Sequence, residues 1–323
     1  MSIRNILLGG AAVFALTLPT HASERLLIGS TSASSSHYGY FVAVAQLVNE
    51  RVTDVETSVV ETGATLDNLR RIQRGQVDLG LVTTNVAHHA LAGTNEFDGQ
   101  PVETQLLWVY TAAPQNVVVR QDAGVSSMAD LKGTRFNPGI RGSATEQTSE
   151  AVFEALGIAP AHVRGSTTDV VDMIKDNRVI GYVKSGAGTR LDASTLDIAT
   201  FTPITVLSLT EEQQQILRTE MPDISVVDIP ASPDDGMPAY TTWSFGVGVA
   251  ASPDLSEETA YQIVRTIMED ETAQANAMAE LRGANLADLT MTYGTIPLHP
   301  GAYRWFSEQG IDVPVHLMPA SAN

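Results

Sequence analysis

The stretch "RLLIGSTSASSSHYGYFVAVAQLVNERV", residues 25–52, predicts a strand, a loop of small residues and a helix in direct succession. The strand is short and apolar and ends at Gly29 and Ser30. The helix shows the spacing i, i+3, i+4, i+7 of one buried face, at Phe41, Val44, Ala45 and Val48. The stretch therefore predicts the first half of a strand-helix-strand unit.

The following residues repeat this order. "VETSVVET" at 55–62 predicts a second strand, "GATLDNLRRIQRG" at 63–75 a second helix, and "VDLGLVT" at 77–83 a third strand. Leu66, Leu69 and Ile72 would face inward, and Gly75 would end the helix. Short connections between alternating strands and helices predict right-handed crossovers, an α/β class and a mostly parallel sheet.

In such a sheet, ligands bind beyond the carboxyl ends of the strands, where the loops carry helix N-termini. Three polar loops would share this rim: Ser30–His37, Thr62–Thr65 and Thr83–Asn85.

A second series begins near residue 115 and contains "NPGIRGSATEQTSEA", residues 137–151. Ser143 followed by Glu146 predicts a capping box, so the glycines lie in a strand-to-helix turn. Gly139 and Gly142 would let an anion approach the backbone amides, and Arg141 would add a bidentate contact. The alternative is an ordinary helix start with a solvated arginine, because neither a Walker A loop nor a dinucleotide fingerprint is present.

A second positively charged residue lies next to a glycine turn at Lys184-Ser185-Gly186, after a predicted strand at 179–183. Lys184 is interpreted either as a ligand contact or as a surface lysine at a strand end. The apolar run at 245–250 then predicts a strand that returns the chain to the first lobe. We expect one lobe from residues 23–114 plus 246–323, a second from 115–245, and two extended strands joining them.

The N-terminus, residues 1–22, has Arg4, an apolar run and Thr20-x-Ala22, which predicts a cleaved secretory signal; the alternatives are an N-terminal anchor and a buried helix. The chain has no cysteine, so an exported protein would rely on its core. Losing the signal removes Arg4 and no acid, so the formal charge falls from −18 to −19. This charge argues against binding to nucleic acid or anionic lipid, and no other apolar run predicts a membrane span.

The sequence contains no recognisable catalytic or metal-binding set. His88 and His89 are adjacent and cannot both face one metal from a helix, and His299 lies between two prolines where packing explains it. No GxSxG motif makes a serine a nucleophile. We therefore expect no enzymatic activity, no metal and no cofactor.

Four stretches together resemble the TAXI family, the solute receptors of one class of TRAP transporters. They are "LLIGSTSASSSHYGYFVAVAQLVNE", "VETGATLDNLRRIQRGQVDLGLVTTNVAHHALAG", "VVVRQDAGVSSMADLKGTRFNPGIRGSAT" and "IPLHPGAYRWFSEQG". The resemblance implies a type II periplasmic binding-protein fold, with a hinge and a ligand cleft between two lobes. It also implies periplasmic delivery of a small organic acid, such as glutamate, 2-oxoglutarate or a similar dicarboxylate, to TRAP membrane subunits driven by an ion gradient.

By this resemblance, and by the cation at the turn of Lys184 and Ser185, the ligand-binding residues would come from both lobes. They are Ser30, Thr31, Ser32, Tyr38, Thr62, Gly63, Asn68, Thr84, Asn85, Gly139, Arg141, Gly142, Ser143, Ala144, Lys184 and Ser185.

Two departures from the family pattern bear on specificity. Arg141 stands where a neutral residue is common, and the Lys184 turn lacks the usual proline. Both add positive charge at the second rim, so we expect a ligand with two carboxylates, with Arg141 and Lys184 as counter-ions; the alternative is that both point to solvent. Two other functions stay open: a sensory module read by a membrane kinase, and an exported enzyme.

Overall fold

A computed structural model describes residues 23–186, 188–221, 223–232 and 236–322. The predicted signal segment, residues 1–22, lies outside the described residues, as does Ala187 in the second glycine turn.

The first series follows the order predicted from the sequence. Its elements are β1 (Glu24–Gly29), α1 (Ser36–Arg51), β2 (Val55–Val60), α2 (Thr65–Gln73), β3 (Leu79–Thr83) and α3 (Thr84–Ala92). β1 pairs in parallel with both β2 and β3, which places the ends of all three strands at one edge. The inward faces predicted for α1 and α2 are confirmed, because their apolar residues are buried.

The remaining helices and strands cover the rest of the described chain. They are β4 (Gln105–Arg120), β5 (Arg135–Phe136), α4 (Ala144–Ala155), β6 (Ala161–His162), α5 (Thr167–Lys175), β7 (Gly181–Ser185), α6 (Ala193–Phe201), β8 (Ile204–Leu207), α7 (Glu211–Glu220), β9 (Ser225–Ile229), β10 (Tyr240–Ala251), α8 (Glu257–Met268), α9 (Ala273–Ala277), α10 (Leu286–Tyr293) and α11 (Pro300–Glu308).

Two long strands, β4 and β10, run through both halves of the molecule. They pair antiparallel with each other from Gln105–Ala251 to Pro114–Ser244, and β10 also pairs antiparallel with β3. Beyond Pro114, β4 changes partners and pairs with β7 and β8, while the start of β10 pairs with β9. The predicted lobe boundaries fall where the partners change, and they stay a prediction.

The α/β class is confirmed, whereas the expectation of a mostly parallel sheet is wrong. The sheet order is β2-β1-β3-β10-β4-β7, and β4 and β10 pair antiparallel with each of their neighbouring strands. The reason is that β10 returns from the second half and enters between β3 and β4, which a local strand-helix pattern does not reveal.

The core beneath α1 is aromatic and fixes the helix against β4. Tyr40 stacks on Tyr110 with ring centroids 4.1 Å apart, and the Trp108 Nε1–H donates to the Tyr40 hydroxyl at 2.9 Å. These side chains are fully buried, so their polar groups need such partners. Among the described residues, no helix is both long and apolar enough to cross a membrane.

Candidate functional site

A cavity, here called the chamber, lies between the rim loops of the first half and the start of α4 in the second. From the first half it is lined by Thr31, His37, Ala64, Thr65, Leu81 and Thr83. From the second half it is lined by Ile140, Ser143, Ala144, Thr145, Lys184 and Ser185, and Val247 of β10 completes it. The predicted convergence of polar loops thus corresponds to a small cavity of about 40 Å³ between the two halves.

The N-termini of three helices reach the chamber wall. Ala64, Thr83 and Ser143 are the N-cap residues of α2, α3 and α4, and all three line the cavity. Helix N-termini present backbone N–H groups without intrahelical partners and a partial positive charge. Their convergence favours an anionic group in the chamber.

Lys184 supplies a full positive charge to the same wall. It is only 7% exposed, and its Nζ lies 3.4 Å from Ser35 Oγ and 3.7 Å from the Asp192 carboxylate. Burial alone would raise the pKa of Asp192, but Lys184 and other partners hold the pKa below its ordinary value. Lys184 is therefore a buried, paired cation at the chamber, and the surface interpretation of this lysine is wrong.

His37, which the sequence placed at the end of a rim loop but not among the ligand-binding residues, lines the chamber from the first turn of α1. Its Nδ1 lies 2.8 Å from the Tyr110 hydroxyl, and the side chain is 4% exposed. Burial lowers the pKa of His37 to about 4; Lys184 acts in the same direction, and Asp192 opposes it. The imidazole is thus neutral near pH 7 and contributes a hydrogen-bonding group rather than a charge.

The predicted residues at the ends of β1 and β2 lie close to the chamber, but they do not all line it. Thr31 lines it directly, and Ser30 is fully buried beside it with an Oγ that has no partner among the described residues. Ser32, Thr62 and Gly63 line a second space, here called the outer groove.

The outer groove contains the predicted counter-ion Arg141, together with Ile140 and the loop at 164–169. The Arg141 side chain is exposed, and no ion pair is found for it among the described residues. Ile140 lines both spaces, so the groove lies next to the chamber. The structure therefore places Arg141 outside the chamber, because the turn that carries Ile140 inward turns the next side chain outward.

Asn68 lies beneath the rim loops and connects them by hydrogen bonds. Its Nδ2 donates to the backbone oxygens of Ser30 and Leu81, both at 2.9 Å, and its Oδ1 lies 2.7 Å from the Thr62 hydroxyl. The side chain is fully buried. Asn68 thus ties β1 to β3 and positions the rim loops, and this bonding leaves little capacity for direct ligand contact.

The glycine turn before α4 has strict local requirements. Gly139 has φ +143°, and a Cβ there would lie 2.5 Å from the Glu146 backbone nitrogen, so no other residue fits without a shift. Gly142, at φ +79°, donates its N–H to Glu146 Oε2 at 2.7 Å. Its carbonyl accepts from the Leu66 N–H, which joins the two halves at this point.

The predicted capping box at Ser143 is half correct. Ser143 Oγ accepts from the Glu146 N–H at 3.1 Å, so the N-cap is confirmed. The Glu146 carboxylate bonds to Gly142 and to Arg164 rather than to the Ser143 N–H. Arg164 competes with the Ser143 N–H for the Glu146 carboxylate, which explains the difference from the predicted capping box. Ala144 follows in the first turn and lines the chamber, as does the half-buried Ser185 opposite it.

Three more predicted residues, in addition to those placed in the outer groove, the glycine turn and beneath the rim, also lie outside the chamber. Tyr38 is half-buried and borders none of the cavities described above. The Thr84 hydroxyl accepts from the Gly246 N–H at 3.1 Å and so anchors β10. Asn85 Nδ2 donates to Thr148 Oγ1 at 3.1 Å, and Asn85 lines a separate groove of about 670 Å³ between α3 and α4.

The three histidines discussed in the sequence analysis, His88, His89 and His299, lie outside the chamber. His299 is the N-cap of α11, where its Nδ1 accepts from the Gly301 N–H, and His88 is exposed on α3. His89 pairs with Asp223 at 3.4 Å. Within the described ranges, no three His, Cys, Asp or Glu side chains are arranged to hold a metal ion.

A family comparison connects this geometry to known proteins. The model of the NMT1-like family matches residues 28–310, which include the rim loops, α4 and the long strands. The chain belongs to the NMT1-like family. The periplasmic binding-protein character of this family agrees with a cavity formed between two halves of an α/β chain.

Solved structures with the same fold include three solute-binding proteins. A putative L-cystine ABC transporter protein from Listeria monocytogenes has 11% identity and a TM-score of 0.52, covering 81% of this chain and 98% of its own. An ancestral arginine-binding protein bound to arginine has 15% identity and a TM-score of 0.50, covering 80% and 97%. The zinc-bound ligand-binding component of an ABC-type import system from Staphylococcus aureus has 12% identity and a TM-score of 0.50, covering 92% and 97%. The periplasmic binding-protein fold predicted for this chain is therefore confirmed.

Proposed function

We propose that the protein is a periplasmic solute receptor that captures a small organic anion between two lobes, residues 23–114 with 246–323 and residues 115–245. The observation that carries this proposal is the chamber, because residues of both halves line it. Three helix N-termini and the buried Lys184 make it suitable for an anion. No reaction and no cofactor belong to this function.

The ligand class that we propose is a dicarboxylate such as glutamate or 2-oxoglutarate. One carboxylate would lie in the chamber near Lys184, and the other would reach Arg141 in the outer groove. Ile140 borders both spaces, so a ligand with carboxylates at its two ends would pass beside this side chain. Arg141 has no competing ion pair among the described residues, which leaves its guanidinium available for a bidentate contact.

For delivery we propose the TAXI subtype, in which the signal at residues 1–22 directs export and the membrane partner is a TRAP permease driven by an ion gradient. Two of the similar solved structures are components of ABC systems, so the energy source of transport is tested directly. Uptake of the identified ligand into vesicles containing the permease should collapse when the ion gradient is dissipated. Dependence on ATP instead would contradict the TRAP assignment.

The first test is thermal unfolding of the mature protein with a panel of dicarboxylates, monocarboxylates of matched length, amino acids and neutral sugars. A ligand at about one hundred times its Kd stabilises the folded state by about 2.7 kcal/mol. For a chain of this size that corresponds to a shift of about 5 °C. A panel in which no organic acid shifts the midpoint would contradict the proposed function.

The second test separates the two carboxylate positions. Arg141→Gln should weaken dicarboxylate binding about tenfold to a hundredfold, the range for hydrogen bonds to charged groups, and leave monocarboxylate binding unchanged. Arg218→Gln on α7 is the matched control, because it removes an exposed arginine that does not line either cavity. Unchanged dicarboxylate affinity in Arg141→Gln would reject the counter-ion role while leaving the receptor function intact.

A further inference from the structure

Asp192 is a carboxylate that contacts both halves of the molecule. Its side chain is almost completely buried. Oδ2 accepts from the Ser35 hydroxyl and from the Ser36 backbone N–H, both at 3.0 Å. Ser35 is the N-cap of α1, so a residue of the second half completes the start of a helix in the first.

The same carboxylate is the N-cap of α6 in its own half. Oδ1 accepts from the backbone N–H of Ser194 at 3.0 Å and from its hydroxyl at 2.6 Å. The contact is reciprocal, because the Ser36 hydroxyl accepts from the Ala193 N–H at 2.9 Å. Two helix N-termini therefore face each other across the two halves with one carboxylate between them.

The charges at this junction make the carboxylate necessary. Each helix N-terminus carries roughly half a positive charge, and Lys184 adds a full one beside them. Without a negative group these like charges would repel. Asp192 compensates part of this charge, and Lys184, held 3.7 Å from Asp192 Oδ1, still lines the chamber.

We propose that Asp192 is a positioning residue that latches the two halves together and fixes Lys184 toward the chamber. The second part rests on the proposed function, since it takes the chamber as the ligand site; the first does not. All the hydrogen bonds of the latch form between residues of the protein, so none of them requires a ligand. The protein therefore closes part of the time without ligand, and the latch contributes to ligand affinity by holding the closed arrangement.

The test compares Asp192→Asn with Asp130→Asn. An asparagine has one oxygen and no charge, so it cannot accept all four bonds. Asp130 is the matched control, because its hydrogen-bond donors in the described part of the chain are Ser126 and Ser127 of the second half, and its substitution changes the net charge equally. Ser36→Ala is a milder variant that removes one acceptor of the latch.

The readout is the distance between spin labels on cysteines introduced at the exposed positions 50 and 172, measured without any organic acid. The chain has no native cysteine, so both labels attach at defined sites. We expect the ratio of closed to open molecules to fall at least tenfold in Asp192→Asn and less in Ser36→Ala. Asp130→Asn should match the wild type.

A distance distribution in Asp192→Asn equal to that of the wild type would overturn the latch. If Asp192→Asn does not fold, the same comparison between Ser36→Ala and Asp130→Asn decides, and an unchanged Ser36→Ala distribution overturns the proposal. Once the thermal panel has identified a ligand, its affinity for Asp192→Asn should fall at least tenfold, and an unchanged affinity would overturn the role of Asp192 in fixing Lys184. A panel without any ligand would contradict the proposed function alone, because the distances are measured without one.

Discussion

Acidification is expected to destabilise the folded protein through His37. The pKa of this buried imidazole is lowered from 6.5 to about 4 in the folded state, chiefly by burial. Between these two values the unfolded chain binds a proton that the folded protein does not. The contribution of the neutral His37 to the free energy of unfolding is therefore fully present above about pH 6.5 and is lost as the pH falls toward about pH 4.

The size of the effect follows from this shift of the His37 pKa. Each pKa unit corresponds to about 1.4 kcal/mol, so acidification from about pH 7 to about pH 5 costs about 2 kcal/mol through this group. Other groups titrate in the same range, so the comparison must be made with a variant that lacks the imidazole. His37→Asn is suitable because its amide can keep a hydrogen bond with Tyr110, the partner of His37 Nδ1.

Urea unfolding at both pH values measures the free energy of unfolding. The loss between the two pH values should be about 2 kcal/mol smaller in His37→Asn than in the wild type. His88→Asn, which removes an exposed histidine from α3, should behave as the wild type does. Equal losses in the wild type and in His37→Asn would refute the assignment of a buried, neutral imidazole at this position.

Three further substitutions test the structure around the chamber. Gly139→Ala should lower the free energy of unfolding by about 3 kcal/mol, because the new Cβ would lie 2.5 Å from the Glu146 nitrogen. Gly75 also has a positive φ but no atom near the position of a Cβ, so Gly75→Ala should lower it by about 1 kcal/mol. Equal unfolding midpoints for the two variants would contradict this prediction. Asn68→Ala should lower the free energy of unfolding in urea by roughly 2 to 4 kcal/mol, since two buried carbonyls each lose the amide donor of Asn68. A decrease below about 0.5 kcal/mol would exclude a role of Asn68 in holding the rim loops in place. Ala64→Gly should stabilise the protein by about 1 kcal/mol, because Ala64 holds φ 69° and ψ −149°; a lower melting temperature would show that this backbone is unstrained.

The first strand-helix series could be predicted closely, because its signals are local. The spacing of apolar residues in α1 and α2 and the glycine after α2 each depend on neighbours within about two helical turns. The direction of β4 and β10 could not be predicted in this way. Their pairing joins Gln105 to Ala251 and Pro114 to Ser244, and nothing within either strand specifies a partner so distant in the chain.

The candidate site was partly predictable for the same reason. The ends of parallel strands meet at one edge, which correctly brought Thr31 and Thr83 to one cavity. Asp192 and His37 were missed because their partners come from the other half or from β4. The sequence nevertheless contained a signal for the position of His37. This residue follows a serine-rich loop and lies in the polar first turn of a helix with one buried face, and such a first turn faces the rim.

The position of β10 between β3 and β4 also sets the order in which the chain can assemble. β3 ends at Thr83 and β4 starts at Gln105, but the strand that joins them begins only at Tyr240. On a growing chain, the edges of β3 and β4 that pair with β10 stay unpaired until β10 has emerged. β7 and β8 come before β10 in the chain and complete their pairing with β4 earlier, so the second half acquires structure before the first half closes.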